Sequence, residues 1–269
     1  MRVLTSDDLR AYDEGRPLFC FTMDLEWAPE WAIREVFGIA YGHGIPLVPF
    51  VTHRSEFIAK QHGRTLSDVG VHPNFLPGST HGTNVDDVLA TMARLAPGAR
   101  SFRAHCFYDD TRTLRKLAER GFTHDSNALA FLQPMLVPMR TVTSILRFPV
   151  FWEDDVHSAF GLPWTLAALR PALDSPGLKI VNVHPLRVAL NVQDEATWSR
   201  IRSRYEASDS ERGEPAKGPG TATLLQDLFR FATQNGGRAY RLDELYARAV
   251  DRGIAIVGDP SSGGRGTHS

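Results

Sequence analysis

LFCFTMDLEW, residues 18–27, is an apolar run without helical spacing that ends on two acids, Asp24 and Glu26, and is set off from a charged N-terminus by Gly15 and Pro17. A short apolar run bounded by turn residues reads as a buried β-strand. Six further runs are of the same kind: IPLVPFVTH at 45–53, VGVHPNF at 69–75, SFRAHCF at 101–107, FTHDSNA at 122–128, ILRFPVFW at 145–152 and KIVNVHPL at 179–186. Between them, residues 29–41, 85–95, 109–120 and 164–173 space their apolar side chains as helices do. Strands alternating with helices build βαβ units, so the expected fold is α/β, a distorted or incomplete (β/α) barrel of about seven parallel strands.

Asn84 before VDDVLATMARL and Asp109 or Asp110 before TRTLRKLAERG are the expected N-caps, with Gly121 stopping the second helix. Residues 206–220, EASDSERGEPAKGPG, are polar and rich in Gly and Pro, which predicts a flexible loop with hinges suited to a lid. Two helical patterns follow, TATLLQDLFRFATQNG and RLDELYARAVDRG. The expected organisation is one domain over 1–258 and a disordered tail over 259–269.

The chain has 269 residues, 42% hydrophobic and 23% charged, enough apolar content for a large core. Thirty Lys plus Arg against 31 Asp plus Glu leave a net charge of -1, so there is no basic footprint for nucleic acid. No apolar stretch approaches the roughly 18 residues of a membrane span. Cys20 and Cys106 form no zinc-ribbon or disulfide framework, and the N-terminus does not read as a signal peptide, so a cytoplasmic setting is expected.

Ionisable residues collect at the strand ends: Asp24 and Glu26 in the first, His72 in the third, Arg103 and His105 in the fourth, Asp125 in the fifth, Glu153, Asp154 and Asp155 after Trp152 in the sixth, and His184 in the seventh. Parallel α/β folds gather such residues at one sheet edge. Two imidazoles and a carboxylate with an open position for water make a common catalytic zinc set, and a metal accounts for the collection. Asp24 and Glu26, two apart, would share a strand face, one to ligate and one to take a proton. His72 and His81 are separated by Pro73, Pro77 and Gly78, which would fold the chain back on itself. Trp27, Trp31 and Trp164 read as core-packing aromatics. His43, His53, His62, His124 and His157 need no function.

The succession FTMDLEW, VGVHPNFLPGSTHG, FRAHCFYDDTRTLRKLAERGFTHDSN, RFPVFWEDD and IVNVHP resembles the five-motif order of the polysaccharide deacetylases, the NodB-homology or carbohydrate esterase family 4 group, and within it the WbmS-like branch. The resemblance implies a metal-dependent hydrolase that removes an N-acyl group, acetyl by preference, from an amino sugar or its conjugate. It implies Asp24 as general base, oriented by Arg103, with His184 as general acid and Asp154 or Asp155 in the fourth motif with Trp152. Glu26 and His72 would hold the metal, Zn2+ by preference with Co2+, Ni2+ or Mn2+ as substitutes, and His81 would replace a missing second histidine of that motif. His105 stands where the family has a proline and is placed with Trp27, Asp125 and Trp152 around the substrate. The expected partner is a small-molecule sugar conjugate. A metallophosphoesterase on a similar barrel and a catalytically silent sugar-binding or scaffold relative are the alternatives.

Overall fold

The computed structural model describes residues 3–205 and 212–255. The strands are β1 (Pro17–Asp24), β2 (Leu47–Val51), β3 (Gly70–Val71), β4 (Ser101–Phe102), β5 (His124–Asp125), β6 (Met139–Arg140), β7 (Leu146–Arg147), β8 (Val150–Glu153), β9 (Gly177–Val183) and β10 (Ala239–Tyr240). The helices are α1 (Ser6–Asp13), α2 (Glu30–Gly42), α3 (Glu56–Gln61), α4 (Val85–Leu95), α5 (Thr111–Glu119), α6 (Asp154–Ala159), α7 (Pro185–Ala189), α8 (Glu195–Tyr205), α9 (Thr221–Thr233) and α10 (Leu242–Asp251). The strands form one curled sheet in the order β6-β7-β5-β4-β3-β2-β1-β9-β8, with β10 beside β1. Every pairing is parallel except β6 with β7. This is the expected incomplete barrel, a mostly parallel half-barrel with ten strands among the described residues where about seven, all parallel, were expected.

The sheet positions the site through simple alternation, since successive side chains on a strand face opposite ways. On β1, Phe19, Phe21 and Met23 pack outward with Ile33, Val36, Phe37 and Ala40 of α2 and Leu224, Leu228 and Phe229 of α9. Fully burying each such Ile, Val, Leu or Phe is worth about 1.5–3 kcal/mol. The other row of β1, Leu18 and Cys20, packs with Val48 and Phe50 of β2, Leu178 and Ile180 of β9, and Tyr240, Leu242 and Leu245. Continued toward the strand ends, those same rows turn polar: Thr22 and Asp24 on β1, and Asn182 on β9, are all fully or almost fully buried. One end of the barrel interior is therefore sealed with hydrocarbon and the other lined with hydrogen-bonding groups.

Several boundaries differ from expectation for identifiable reasons. ILRFPVFW is two strands, because Pro149 has no N–H to give a ladder. β7 pairs with β5 and β8 with β9, so one short run serves both flanks of the curl. The expected helix over 164–173 is a single 3-10 turn, Leu166–Leu169, cut short by Pro171, which disfavours helical geometry at Arg170. The caps are as expected: Asn84 accepts from the Asp87 N–H, and Asp110 accepts from Arg112 and Thr113. Of the expected loop at 206–220, residues 206–211 lie outside the described residues, and 216–219 are pinned: Asn191 Nδ2 donates to the Ala216 and Gly218 carbonyls and Gln193 Nε2 to those of Lys217 and Pro219. The tail at 259–269 also lies outside the described residues. No described helix is long and apolar enough to cross a membrane.

Candidate active site

The parallel ladder continues one step past each short strand and sets the site residues side by side. Leu25 N–H donates to Phe50 O, His72 N–H to Val51 O, Arg103 N–H to Val71 O and Ser126 N–H to Phe102 O. Arg103, 1% exposed, is the centre of the resulting network. Its Nε donates to Ser126 O at 2.8 Å, Nη2 to Ser126 Oγ at 2.8 Å, and Nη1 to Asp24 Oδ1 at 2.9 Å and Asn182 Oδ1 at 2.6 Å. Asn182 Nδ2 donates to Asp24 Oδ2 at 2.9 Å and to Glu153 Oε1 at 2.7 Å. Asp24 is therefore gripped on both oxygens. Burial pushes its carboxyl up, but Arg103, then His72 and His184, outweigh that and hold it down to about 2.

β1 ends at Asp24, and Glu26 and Trp27 adopt left-handed backbone, φ 47 and 54°. Two consecutive non-glycine residues in that region are costly, and strain of this kind concentrates at functional loops. Here the turn swings Glu26 beneath the next strands, where Oε1 meets His72 Nε2 at 2.8 Å and His105 Nδ1 at 2.7 Å. A second such pair, Cys106 and Phe107, follows His105 directly, φ 55 and 51°. Donor atoms of Glu26, His72 and His105 all lie within 4.8 Å of one another. His72 faces Asp24 with its other nitrogen, Nδ1, at 3.5 Å, with no hydrogen-bond partner. Burial works against charge on His72, yet Asp24 and Glu26 push its pKa up to about 9, so the pocket demands positive charge at this point.

Across the pocket, His184 Nδ1 meets Asp154 Oδ1 at 2.6 Å and its backbone N–H donates to Asp154 Oδ2 at 2.9 Å, which aims Nε2 toward Glu153, 4.0 Å away. Burial lowers the His184 pKa, but Asp154 with Asp155 and Glu153 raise it well above the ordinary value, so the imidazole is cationic at neutral pH.

The expected residues Asp24, Glu26, His72, Arg103, His105, Asp154 and His184 thus converge. Three others stand elsewhere. His81 keeps both ring nitrogens occupied, Nδ1 accepting from the Asn74 N–H at 3.0 Å and Nε2 facing Thr52 O at 2.7 Å, so it shapes the loop after His72 and His105 completes the donor set instead. Trp152 is fully buried, its indole N–H on His157 Nδ1 at 3.0 Å. Asp125, also fully buried, is clamped by Arg147, Nε to Oδ1 at 2.8 Å and Nη2 to Oδ2 at 3.0 Å. Both side chains are thus buried and spend their polar atoms within the protein. Trp27 is 40% exposed beside His81 and His105, ring centroids 5.4 and 5.5 Å away.

The sequence reading passed over Asn182, and named Glu153 only as part of a strand-end acidic run, without a role. The signal for Asn182 was a single amide in the apolar run KIVNV. For Glu153 the reason is a bulge: β8 pairs Val150 with Ile180 but Trp152 with Val181, so the extra residue re-aims Glu153 to Asn182 and turns Trp152 into the core.

The family profile for WbmS-like polysaccharide deacetylases matches residues 21–202. The chain belongs to that family. Among solved structures, a chain from Bordetella bronchiseptica assigned as a polysaccharide deacetylase involved in O-antigen biosynthesis, WbmS, superposes with a TM-score of 0.72 at 25% identity, covering 84% of this chain and 95% of that one. An assigned polysaccharide deacetylase from Mycobacterium smegmatis superposes with a TM-score of 0.52 at 16% identity, covering 92% and 96%. Among curated proteins no match is found. The polysaccharide deacetylases are hydrolases of carbohydrate amides, and in this member the Asp24–Arg103 and His184–Asp154 pairs stand close together, with donor atoms of Asp24, Glu153 and His184 within 4.8 Å of one another.

Proposed function

We propose that this deacetylase is a metal-dependent enzyme that removes an N-acetyl group from an amino sugar within a small conjugate, such as a precursor of a surface polysaccharide. The observation that carries the reading is the convergence of Glu26, His72 and His105 beside Asp24. Two imidazole nitrogens and a carboxylate oxygen are the donor chemistry of catalytic zinc and its substitutes. Two other groups of acids and histidines occur among the described residues, Asp24–Glu153–His184 and Asp154–Asp155–His184, but the first receives N–H donors from Arg103 and Asn182 and the second is closed by the His184–Asp154 bonds. The Glu26–His72–His105 set carries no Arg or amide N–H: its hydrogen bonds are those the two imidazoles make to Glu26, and imidazoles that release those protons offer lone pairs to a cation.

Glu26, His72 and His105 would hold a divalent transition metal, which when bound would supply an acidified water and polarise the acyl carbonyl. Asp24 accepts the proton of the attacking water, charged and oriented by Arg103 and Asn182. His184, steadied by Asp154, donates from Nε2 to the departing nitrogen. Trp27 offers an indole face to the pyranose ring. The relative assigned to O-antigen biosynthesis supports a surface-polysaccharide precursor as substrate, and the free thiols Cys20 and Cys106 suit a cytoplasmic setting.

Elemental mass spectrometry tests the ligand set without a substrate. Wild type retains about one equivalent of metal, Glu26→Gln and His105→Ala lose it, and His81→Ala keeps it. Folded wild type that stays empty after incubation with zinc, cobalt, nickel and manganese overturns the metal reading; acetate release from N-acetylated amino sugars tests the reaction.

A further inference from the structure

Carboxyls outnumber the cations available to them at this end of the barrel. Arg103 is taken by Asp24 at 2.9 Å, His184 Nδ1 by Asp154 at 2.6 Å and Arg187 by Glu195 at 2.9 Å, while Glu26 is held between His72 and His105. Glu153 and Asp155 are left over, and Glu153 is the more deeply buried of the two. It is 4% exposed, its Oε1 accepts from the neutral Asn182 amide, and the nearest cationic atom is His184 Nε2 at 4.0 Å. The charged groups facing it from neighbouring elements are Asp24 on β1, Asp155 on α6, Arg103 after β4 and His184 after β9. Two are acids, and Arg103 bonds the opposite end of the same Asn182 amide. A buried carboxylate so placed costs more than a buried acid.

We propose that Glu153 is a proton-bearing carboxylic acid at neutral pH and serves as a positioning residue for His184, resupplying Nε2 with the proton that atom gives to the departing nitrogen. The step rests on the N-deacetylase reading. In it the Glu153 O–H bond breaks and an Nε2–H bond forms through the imidazole lone pair, across a rotation of the carboxyl or one bridging water. Glu153 is left as a carboxylate beside the new imidazolium and regains its proton from solvent. The site environments support this division: burial and Asp155 push Glu153 up to about 8 despite His184. Paired carboxyls whose surroundings drive them apart mark separate proton duties.

Glu153→Gln keeps the shape and the acceptor for Asn182 but holds no transferable proton. Infrared difference spectra at neutral pH, wild type against Glu153→Gln, show the carbonyl band of an un-ionised acid in wild type alone. On an N-acetylated amino sugar, Glu153→Gln completes its first turnover within about threefold of the wild-type rate, while its steady state falls about tenfold or more and recovers with imidazole buffer as an external acid. Glu153→Asp retains the band and the steady state, which keeps the test decisive if the glutamine variant does not fold. A missing infrared band overturns the proposal whatever the activity. So does an active wild type whose steady state is unmoved in Glu153→Gln. Wild type inert toward every N-acetylated amino sugar overturns the deacetylase reading and the resupply role with it, while the band still reports the proton on Glu153 separately.

Discussion

Arg103 grips the carboxylate of Asp24, the proposed base, from a side chain that is itself almost fully enclosed, over the Phe50 ring at 4.6 Å. Its fork serves Asp24, Asn182 and Ser126 at once, a geometry a lysine cannot reproduce. Arg103→Lys is expected to cost about 3 kcal/mol or more in chemical denaturation, since the Asp24 charge is left buried and poorly paired. Asp24→Asn is the gentler change. It keeps shape and fold, and turnover on an N-acetylated amino sugar is expected to fall about 10²–10⁴-fold, the usual share of a general base, with metal content unchanged. A loss of no more than about tenfold sinks the assignment of Asp24 as base. The polar ends of apolar runs made Asp24, His72, Arg103 and His184 legible in the sequence. The choice between His81 and His105 was not, because it depends on which ring nitrogens the loop after His72 consumes, and on a left-handed turn at Cys106 that periodicity does not announce.

At the scale of elements, α2, α4, α5, α9 and α10 were readable from spacing and caps, and the short strands β3, β4 and β5 from their place in the alternation. What escaped were features set by neighbours in space: the division of 145–152 into β7 and β8, the β8 bulge, and β10, a two-residue strand with no pattern of its own. Local sequence does decide the strength of single elements. The Asn84 side chain accepts from Asp87 N–H at 3.1 Å, and Asn84→Ala is expected to lower stability by about 1 kcal/mol, read from the denaturant midpoint, with metal content unaltered. Gly70 in β3 is a different case, because a Cβ there would run into the Phe50 ring and come within 2.8 Å of Ser101 Oγ. Gly70→Ala is expected to displace Phe50 from under Arg103 and to reduce both stability and turnover. Unchanged kinetics in that variant would show that the ring is free to move aside.

The molecule as a whole depends on a segment beyond the family match at 21–202. β10 pairs with β1 at Phe19 and Cys20, below the stretch where β2 pairs, and α10 buries Leu242, Leu245 and Ala249 against the same inner core. The apolar end of the barrel is sealed there, and His124 lies under the seal. It is 2% exposed, stacked on Tyr246 of α10 with ring centroids 4.7 Å apart, and its Nε2 has no partner. Burial lowers its pKa from 6.5 to about 3. Between those two values the unfolded chain binds a proton that the folded chain refuses, so stability is intact above 6.5 and is lost as the pH falls toward 3. The slope from this one group reaches about 1.4 kcal/mol per pH unit. Carboxylates such as Asp24 add their own loss only at lower pH, because that group is held down to about 2. Denaturation of wild type and His124→Phe across the range from pH 7 down to about 4 therefore separates the contributions: the variant is expected to show a shallower decline. Parallel declines would mean that protonation of His124 is absorbed by local opening of α10 rather than by unfolding of the barrel, and amide exchange confined to residues 239–251 would be its signature.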